Sequence, residues 1–98
     1  MYHIIWEYEV RADQVAAFER LYDSKGAWSQ LFGPAEGYLG TELYRDTARP
    51  THFITVDRWV SPEAFEAALL TLRESYNRLD QQAAALTLRE QRLGAFEA

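Results

Sequence analysis

The sequence predicts an α+β domain of the ferredoxin-like split βαβ type (βαββαβ), with helices on one face of a four-stranded antiparallel sheet. Three observations carry this. Met1–Val10 alternates apolar and polar residues, as a half-buried strand does. Two later stretches space their apolar residues by three and four, as amphipathic helices do. Between them lie two strand-like runs separated by a turn, and a last strand-like run closes the chain. At 98 residues the chain is read as a single domain, residues 1–98.

Taken in order, Tyr2, Ile4, Trp6, Tyr8 and Val10 face the core from the first strand, with Ile5 breaking the alternation. Asp13 is expected to cap the first helix, whose apolar face is Val15, Phe18, Leu21 and Tyr22. Gly26 is expected to end it. A further turn over Ala27–Phe32 points Trp28, Leu31 and Phe32 inward, and Gly33-Pro34 stops it. The second strand is Tyr38–Asp46, the turn is Thr47–Pro50 and the third strand is Thr51–Val60. A loop of that length pairs Tyr44 with Phe53. Tyr38, Gly40, Glu42 and Tyr44 then share a face with Phe53, Thr55, Asp57 and Trp59, and Leu39, Thr41, Leu43 and Arg45 turn the other way. Ser61-Pro62-Glu63 combines a cap, a proline at the first helical position and an acid near the positive helix end. Phe65, Ala68, Leu69, Leu72 and Tyr76 form the face of that helix, and Leu79 and Ala83 continue it past an expected kink near Ser75. Leu86–Leu93 is the fourth strand, with Gly94 after it.

Helices cover one face of such a sheet. The other carries Ile5, Leu39, Leu43, Ile54 and Val56 on this register, and an apolar face of that extent calls for a cover. A second copy of the chain is the simplest, so a homodimer is expected, in which buried charges such as Arg58 or Glu7 need partners across the interface.

Composition narrows the function classes. The net charge of −5 and the absence of a Lys/Arg run argue against nucleic acid and anionic membranes as partners. No apolar run approaches the roughly 20 residues needed to span a bilayer, and the opening strand lacks the basic start of a signal peptide. Cysteine is absent, which removes disulfides, thiol catalysis and thiolate metal sites and fits a cytoplasmic protein. His3 and His52 stand in no metal-ligand spacing, and there is neither a phosphate-binding glycine loop nor a nucleophile elbow.

Gly37-Tyr38-Leu39-Gly40-Thr41-Glu42-Leu43, Phe53-Ile54-Thr55-Val56-Asp57-Arg58-Trp59 and Ser61-Pro62-Glu63-Ala64-Phe65 resemble the antibiotic biosynthesis monooxygenase family. Ile4–Leu21 is similar to it as well. The resemblance implies a dimeric α+β barrel with a pocket between sheet and helices in each subunit. It also implies oxygenation of phenols, quinols or polyaromatic rings without a bound cofactor, or haem degradation. The ring oxygenases of the family are similar around Trp59, but have Asn where this chain has Thr55 and Tyr where it has Phe65. The haem-degrading branch has Asn at Trp6, Trp at Ala68 and a late His, and this chain has no His after His52.

Asp57 shares its strand face with Trp59, and a carboxylate on an apolar face can act as a base of raised pKa or can simply be paired. Glu42 is a lesser candidate on the same expected face. Asp57 and Trp59 are thus the candidate catalytic residues. Trp6, Tyr22, Trp28, Thr55, Phe65 and Tyr76 are the candidate substrate-binding residues, although each ring can equally be core. Two functions follow: a small cofactor-free monooxygenase acting on a phenolic, quinol or polyaromatic substrate, or a non-catalytic dimer binding a small aromatic molecule.

Overall fold

The alternation that opens the chain becomes the central strand β1 (Tyr2–Val10), which buries Ile4, Tyr8 and Val10 and half-buries Tyr2 and Trp6. The computed structural model describes all of residues 1–98. Around β1 stand β2 (Tyr38–Arg45), β3 (His52–Trp59) and β4 (Thr87–Glu97), in the sheet order β2-β3-β1-β4 with every neighbour antiparallel. Helices α1 (Val15–Tyr22), α2 (Ala27–Phe32) and α3 (Pro62–Ala84) pack on the face that carries Ile4, Tyr8, Phe53 and Trp59. This is the expected split βαβ sheet. No helix is long and apolar enough to cross a membrane.

The start of α3 follows its sequence signal: Ser61 Oγ accepts from the Ala64 N–H at 3.2 Å, with Pro62 opening the helix. The helix then runs unbroken through Ser75. Two other expected signals act differently. Asp13 lies inside a 3₁₀ turn (Ala12–Gln14) and caps nothing, because the chain tightens there before α1 begins at Val15. Gly26 does not end α1. That helix stops at Tyr22, the Asp23 carboxylate accepts from the Lys25 N–H at 2.9 Å to turn the chain, and Gly26 becomes the N-cap of α2.

The β2–β3 register differs by one residue from expectation. Tyr44 stands opposite Ile54 and Arg45 opposite Phe53, because the loop is one residue longer than four. Asp46 accounts for the length: its carboxylate accepts from the N–H groups of Ala48 and Arg49 at 2.8 and 3.3 Å, while its own N–H donates to the His52 carbonyl at 2.9 Å. Thr41, Leu43 and Arg45 therefore share the helix side with Phe53, Thr55 and Asp57, whereas Glu42 and Tyr44 face away. A bulge at Leu39 restores the phase, so that Tyr38 returns to the helix side opposite Trp59. Strand β4 also runs further than expected, through a second irregularity beside Gly94 to Glu97.

The slip changes the open face of the sheet. Leu43 leaves it for the core and Tyr44 joins it, so the face carries Ile5, Tyr44, Ile54, Val56 and Phe96. Two ion pairs form there within the chain: Arg58 meets Glu42 at 2.7 Å and Arg89 reaches Glu7 at 4.0 Å.

Gly37 fixes the approach of β2 to α3. Its φ is +87°, and a Cβ there would lie 2.7 Å from both the Ala64 Cβ and the Val60 Cγ2. Gly37→Ala is expected to cost at least about 1–3 kcal/mol from backbone conformation alone. Urea unfolding of the variant measures this, and an unchanged midpoint would contradict the assigned packing.

Candidate functional site

Between the sheet and the helices lies an open cavity of about 200 Å³. Its floor is the helix side of the sheet. Strand β1 supplies Ile4, Trp6 and Tyr8, β3 supplies Thr55 and Asp57, β2 supplies Thr41, and β4 supplies Glu90 and Arg92. The walls are Tyr22 of α1, Trp28 and Phe32 of α2, and Phe65, Leu69, Tyr76 and Asp80 of α3. Strand parity explains the floor, since residues two apart on one strand face the same way. Helical periodicity explains the walls, since Phe65, Leu69, Tyr76 and Asp80 lie along one side of α3.

Of the eight residues singled out from sequence, seven line this cavity: Trp6, Tyr22, Trp28, Thr55, Asp57, Phe65 and Tyr76. Trp59 does not. It is fully buried, with Phe32, Tyr38 and Phe65 around it at ring-centroid distances of 5.4, 5.1 and 5.5 Å. Its indole N–H has no partner, and neither does that of Trp28. Glu42, the lesser acid candidate, is tied to Arg58 on the open face and points away from the cavity. No group of three or more His, Asp or Glu side chains stands close enough together to hold a metal ion.

Ile4, Tyr8, Phe32, Thr41, Leu69, Asp80, Glu90 and Arg92 complete the lining and were not singled out from sequence as site residues. Asp80 carried a legible signal, lying one helical turn beyond Tyr76. Thr41 was hidden by the register.

The electrostatics centre on Asp57. None of the chain's four ion pairs includes it. Its carboxylate accepts one hydrogen bond, from Thr41 Oγ1 at 2.7 Å. Burial disfavours the charged form and pushes its pKa up to about 6, against the opposing pull of the Thr41 bond. Burial likewise raises the hydroxyls of Tyr8, Tyr22 and Tyr76, so all three stay protonated as donors near neutrality. Glu90 is raised by burial and then by the nearby charge of Asp80. Arg92 is the one cation of the lining. The site thus combines aromatic walls, neutral hydroxyl donors and a carboxylate that takes up a proton more readily than an ordinary aspartate.

A raised carboxyl pKa favours the protonated fold. The contribution of Asp57 to stability is full below its unfolded value of 3.8 and is lost as pH rises through about 6. Asp57→Asn keeps the shape without the charge. It is expected to gain on the wild type as pH climbs through that window, by up to about 3 kcal/mol above it. Denaturation midpoints of both proteins across the range check this, and a gap that does not change with pH would contradict it.

Residues 1–71 match the sequence profile of a family described as antibiotic biosynthesis monooxygenase. No curated protein matches the chain in sequence. Solved structures share its fold. SnoaB of Streptomyces nogalater, a cofactor-independent oxygenase, superposes with a TM-score of 0.80 at 19% identity, over 99% of this chain and 91% of its own. Rv0793 of Mycobacterium tuberculosis gives 0.72 at 18%, over 99% and 96%. A structure described as an antibiotic biosynthesis monooxygenase gives 0.71 at 18%, over 100% and 98%.

Proposed function

Because the chain belongs to the antibiotic biosynthesis monooxygenase family, we propose that it oxygenates a small electron-rich ring, a phenol or quinol, in the cavity between sheet and helices, without a bound cofactor. The observation that carries this reading is Asp57: a carboxylate free of any ion pair, set into the floor of an aromatic-walled cavity with its proton affinity raised. At neutral pH it is largely ionised and ready to take a proton. A phenol or enol that gives its proton to Asp57 becomes an anion able to pass an electron to dioxygen. Recombination at a ring carbon followed by loss of water leaves one oxygen atom on the ring as a carbonyl and the other in water.

The remaining lining residues hold the ring. Trp6, Trp28, Phe65 and Tyr76 offer faces and edges for stacking. The hydroxyls of Tyr22 and Tyr76 suit the substrate oxygen as donors, because burial keeps them neutral. An apolar cavity of about 150 Å³ accommodates benzene, so about 200 Å³ suits one or two fused rings better than three or four. Asp57, Asp80 and Glu90 against the single Arg92 favour a neutral substrate over a carboxylated one.

One observation favours a second reading, a dimer that binds an aromatic molecule without turning it over. Thr55 and Phe65 both line the cavity, at the positions where the ring oxygenases resembling this chain carry Asn and Tyr. Oxygen uptake with a panel of naphthols, quinols and anthrones separates the two. Turnover is expected with the one- and two-ring members, and Asp57→Asn is expected to lower it by about 10²–10⁴-fold with ligand affinity largely kept. Tight binding across the panel with no oxygen uptake would instead establish the binding protein.

We infer also that the working form is a homodimer joined through the open face of the sheet, where Ile5, Ile54, Val56 and Phe96 would otherwise meet water. Light scattering is expected to give twice the 11.4 kDa chain mass. Ile54→Asp at the centre of that face is expected to yield monomer or to unfold the protein. A monomeric wild type would defeat the idea.

A further inference from the structure

The one hydrogen bond that Asp57 accepts is itself held from outside the cavity. Thr41 Oγ1 donates to Asp57 Oδ1 at 2.7 Å, and the same Thr41 oxygen lies 2.6 Å from the Tyr38 hydroxyl. Asp57 Oδ2 is left without a bond. Thr41 is closed to water at 4% exposed. Tyr38 is not part of the cavity lining. Its ring is packed against Phe32 and Trp59, at 5.8 and 5.1 Å between centroids, and Ser29 Oγ on α2 stands 3.3 Å from its hydroxyl.

Counting protons fixes the direction of the inner contacts. Thr41 has one hydroxyl proton, and an ionised carboxylate, which can only accept, claims it. Two oxygens 2.6 Å apart with no proton between them repel, so Tyr38 supplies the proton of that contact. Ser29 is the more distant of the two acceptors open to Tyr38, and its own proton goes to the Asp23 carbonyl at 3.2 Å.

We propose that Tyr38 is a positioning residue for Asp57: by donating to Thr41 it commits the Thr41 proton to Oδ1, holds the carboxylate in one orientation and leaves Oδ2 as the atom that takes a proton from a ring hydroxyl. The inference rests on the reading of Asp57 as the base. Donation by Tyr38 also polarises the Thr41 hydroxyl, and a polarised donor binds a carboxylate more strongly than it binds a neutral carboxyl group. The pair thus favours the ionised, proton-accepting form against the burial that disfavours it. The other titratable and charged groups around the cavity are Tyr8 of β1, Tyr22 of α1, Tyr76 and Asp80 of α3, and Glu90 and Arg92 of β4. None of them hydrogen-bonds the carboxylate, so control of its orientation falls to Thr41 and, through Thr41, to Tyr38.

Titration of the Asp57 side-chain carbon signal by NMR, identified by its loss in Asp57→Asn, tests this on the full chain without substrate. Tyr38→Phe keeps the ring and removes the donor. Its midpoint is expected to rise from about 6 by roughly half a pH unit, a threefold gain in proton affinity. Thr41→Val is expected to raise it by about one pH unit or more, and Thr41→Ser to leave it as in the wild type. Adding Tyr38→Phe to Thr41→Val is expected to change nothing further, because Tyr38 acts through Thr41. The midpoint is an equilibrium property, so the route by which protons reach Asp57 does not enter it. Hydroxyls that only tie β2 to α2 would change stability and leave every midpoint in place. An unmoved midpoint in folded Tyr38→Phe overturns the assignment, and so does an equal shift with and without the Thr41 hydroxyl. Should Tyr38→Phe fail to fold, replacing Tyr38 by a ring-fluorinated tyrosine, a stronger donor of nearly the same shape, is expected to lower the midpoint, and an unmoved or raised one overturns the assignment. The expected shifts in a protein that never consumes oxygen would uphold the role of Tyr38 and remove the enzyme reading. Unmoved midpoints in a protein whose oxygen uptake depends on Asp57 would do the reverse.

Discussion

Ring-on-ring packing holds this molecule together. Only 14 of 98 residues are buried, a thin core even for a small domain. Phe18 stacks on Tyr22 at 4.2 Å between centroids and meets Phe53 at 5.1 Å, tying α1 to the sheet. Phe32 meets Trp59 edge-on at 5.4 Å, tying α2 to β3, and Trp59 meets Phe65 at 5.5 Å, tying in α3. Each such pair contributes about 0.5–1.5 kcal/mol beyond the area it buries. Rings are stiff and large, so three helices braced by them on the sheet leave gaps between them. The cavity is the space this bracing leaves, walled by the outer members of the same set.

That origin explains the unusual acid at its floor. An aspartate among rings has few dipoles to replace its lost water, and Thr41 supplies the one that remains. The nearest counter-charge in the lining, Arg92, forms no ion pair with it. A tighter partner would have held the carboxylate ionised and inert. The same surroundings keep the three tyrosine hydroxyls neutral. A proton acceptor and a set of donors therefore coexist within one small space, each tuned by burial.

Much of this was legible in the residue order. Alternation in β1, the Ser61-Pro62-Glu63 start and the apolar stripe of α3 are local signals, and tertiary packing reinforces each of them. Seven of the cavity residues were legible because parity and helical spacing place side chains on a face without reference to distant elements. What was not legible depended on loops. Asp46 folds its side chain back on the hairpin backbone and lengthens the loop by one residue, and strand faces invert under such a change. Thr41 was thereby assigned to the wrong side, Glu42 was taken for a neighbour of Asp57, and Leu43 was taken for part of the open face. Asp23 did likewise between α1 and α2, where Gly26 begins a helix instead of ending one. Full burial of Trp59 behind Phe32, Tyr38 and Phe65 is a product of helix placement and has no signature along the strand.

The bulge at Leu39 has a reach beyond its own two strands. Residues three apart on a regular strand point to opposite faces, yet Tyr38 and Thr41 point to the same one and touch. The extra residue, with Gly40 at a φ of +128° beside it, makes that adjacency possible. Leu39 itself is half-exposed and packs little, so its identity is nearly free while its presence is not. Variation along this stretch is therefore constrained in count more than in kind: many side chains serve at position 39, but losing a single codon there would rotate Tyr38 out of the core and part it from Thr41.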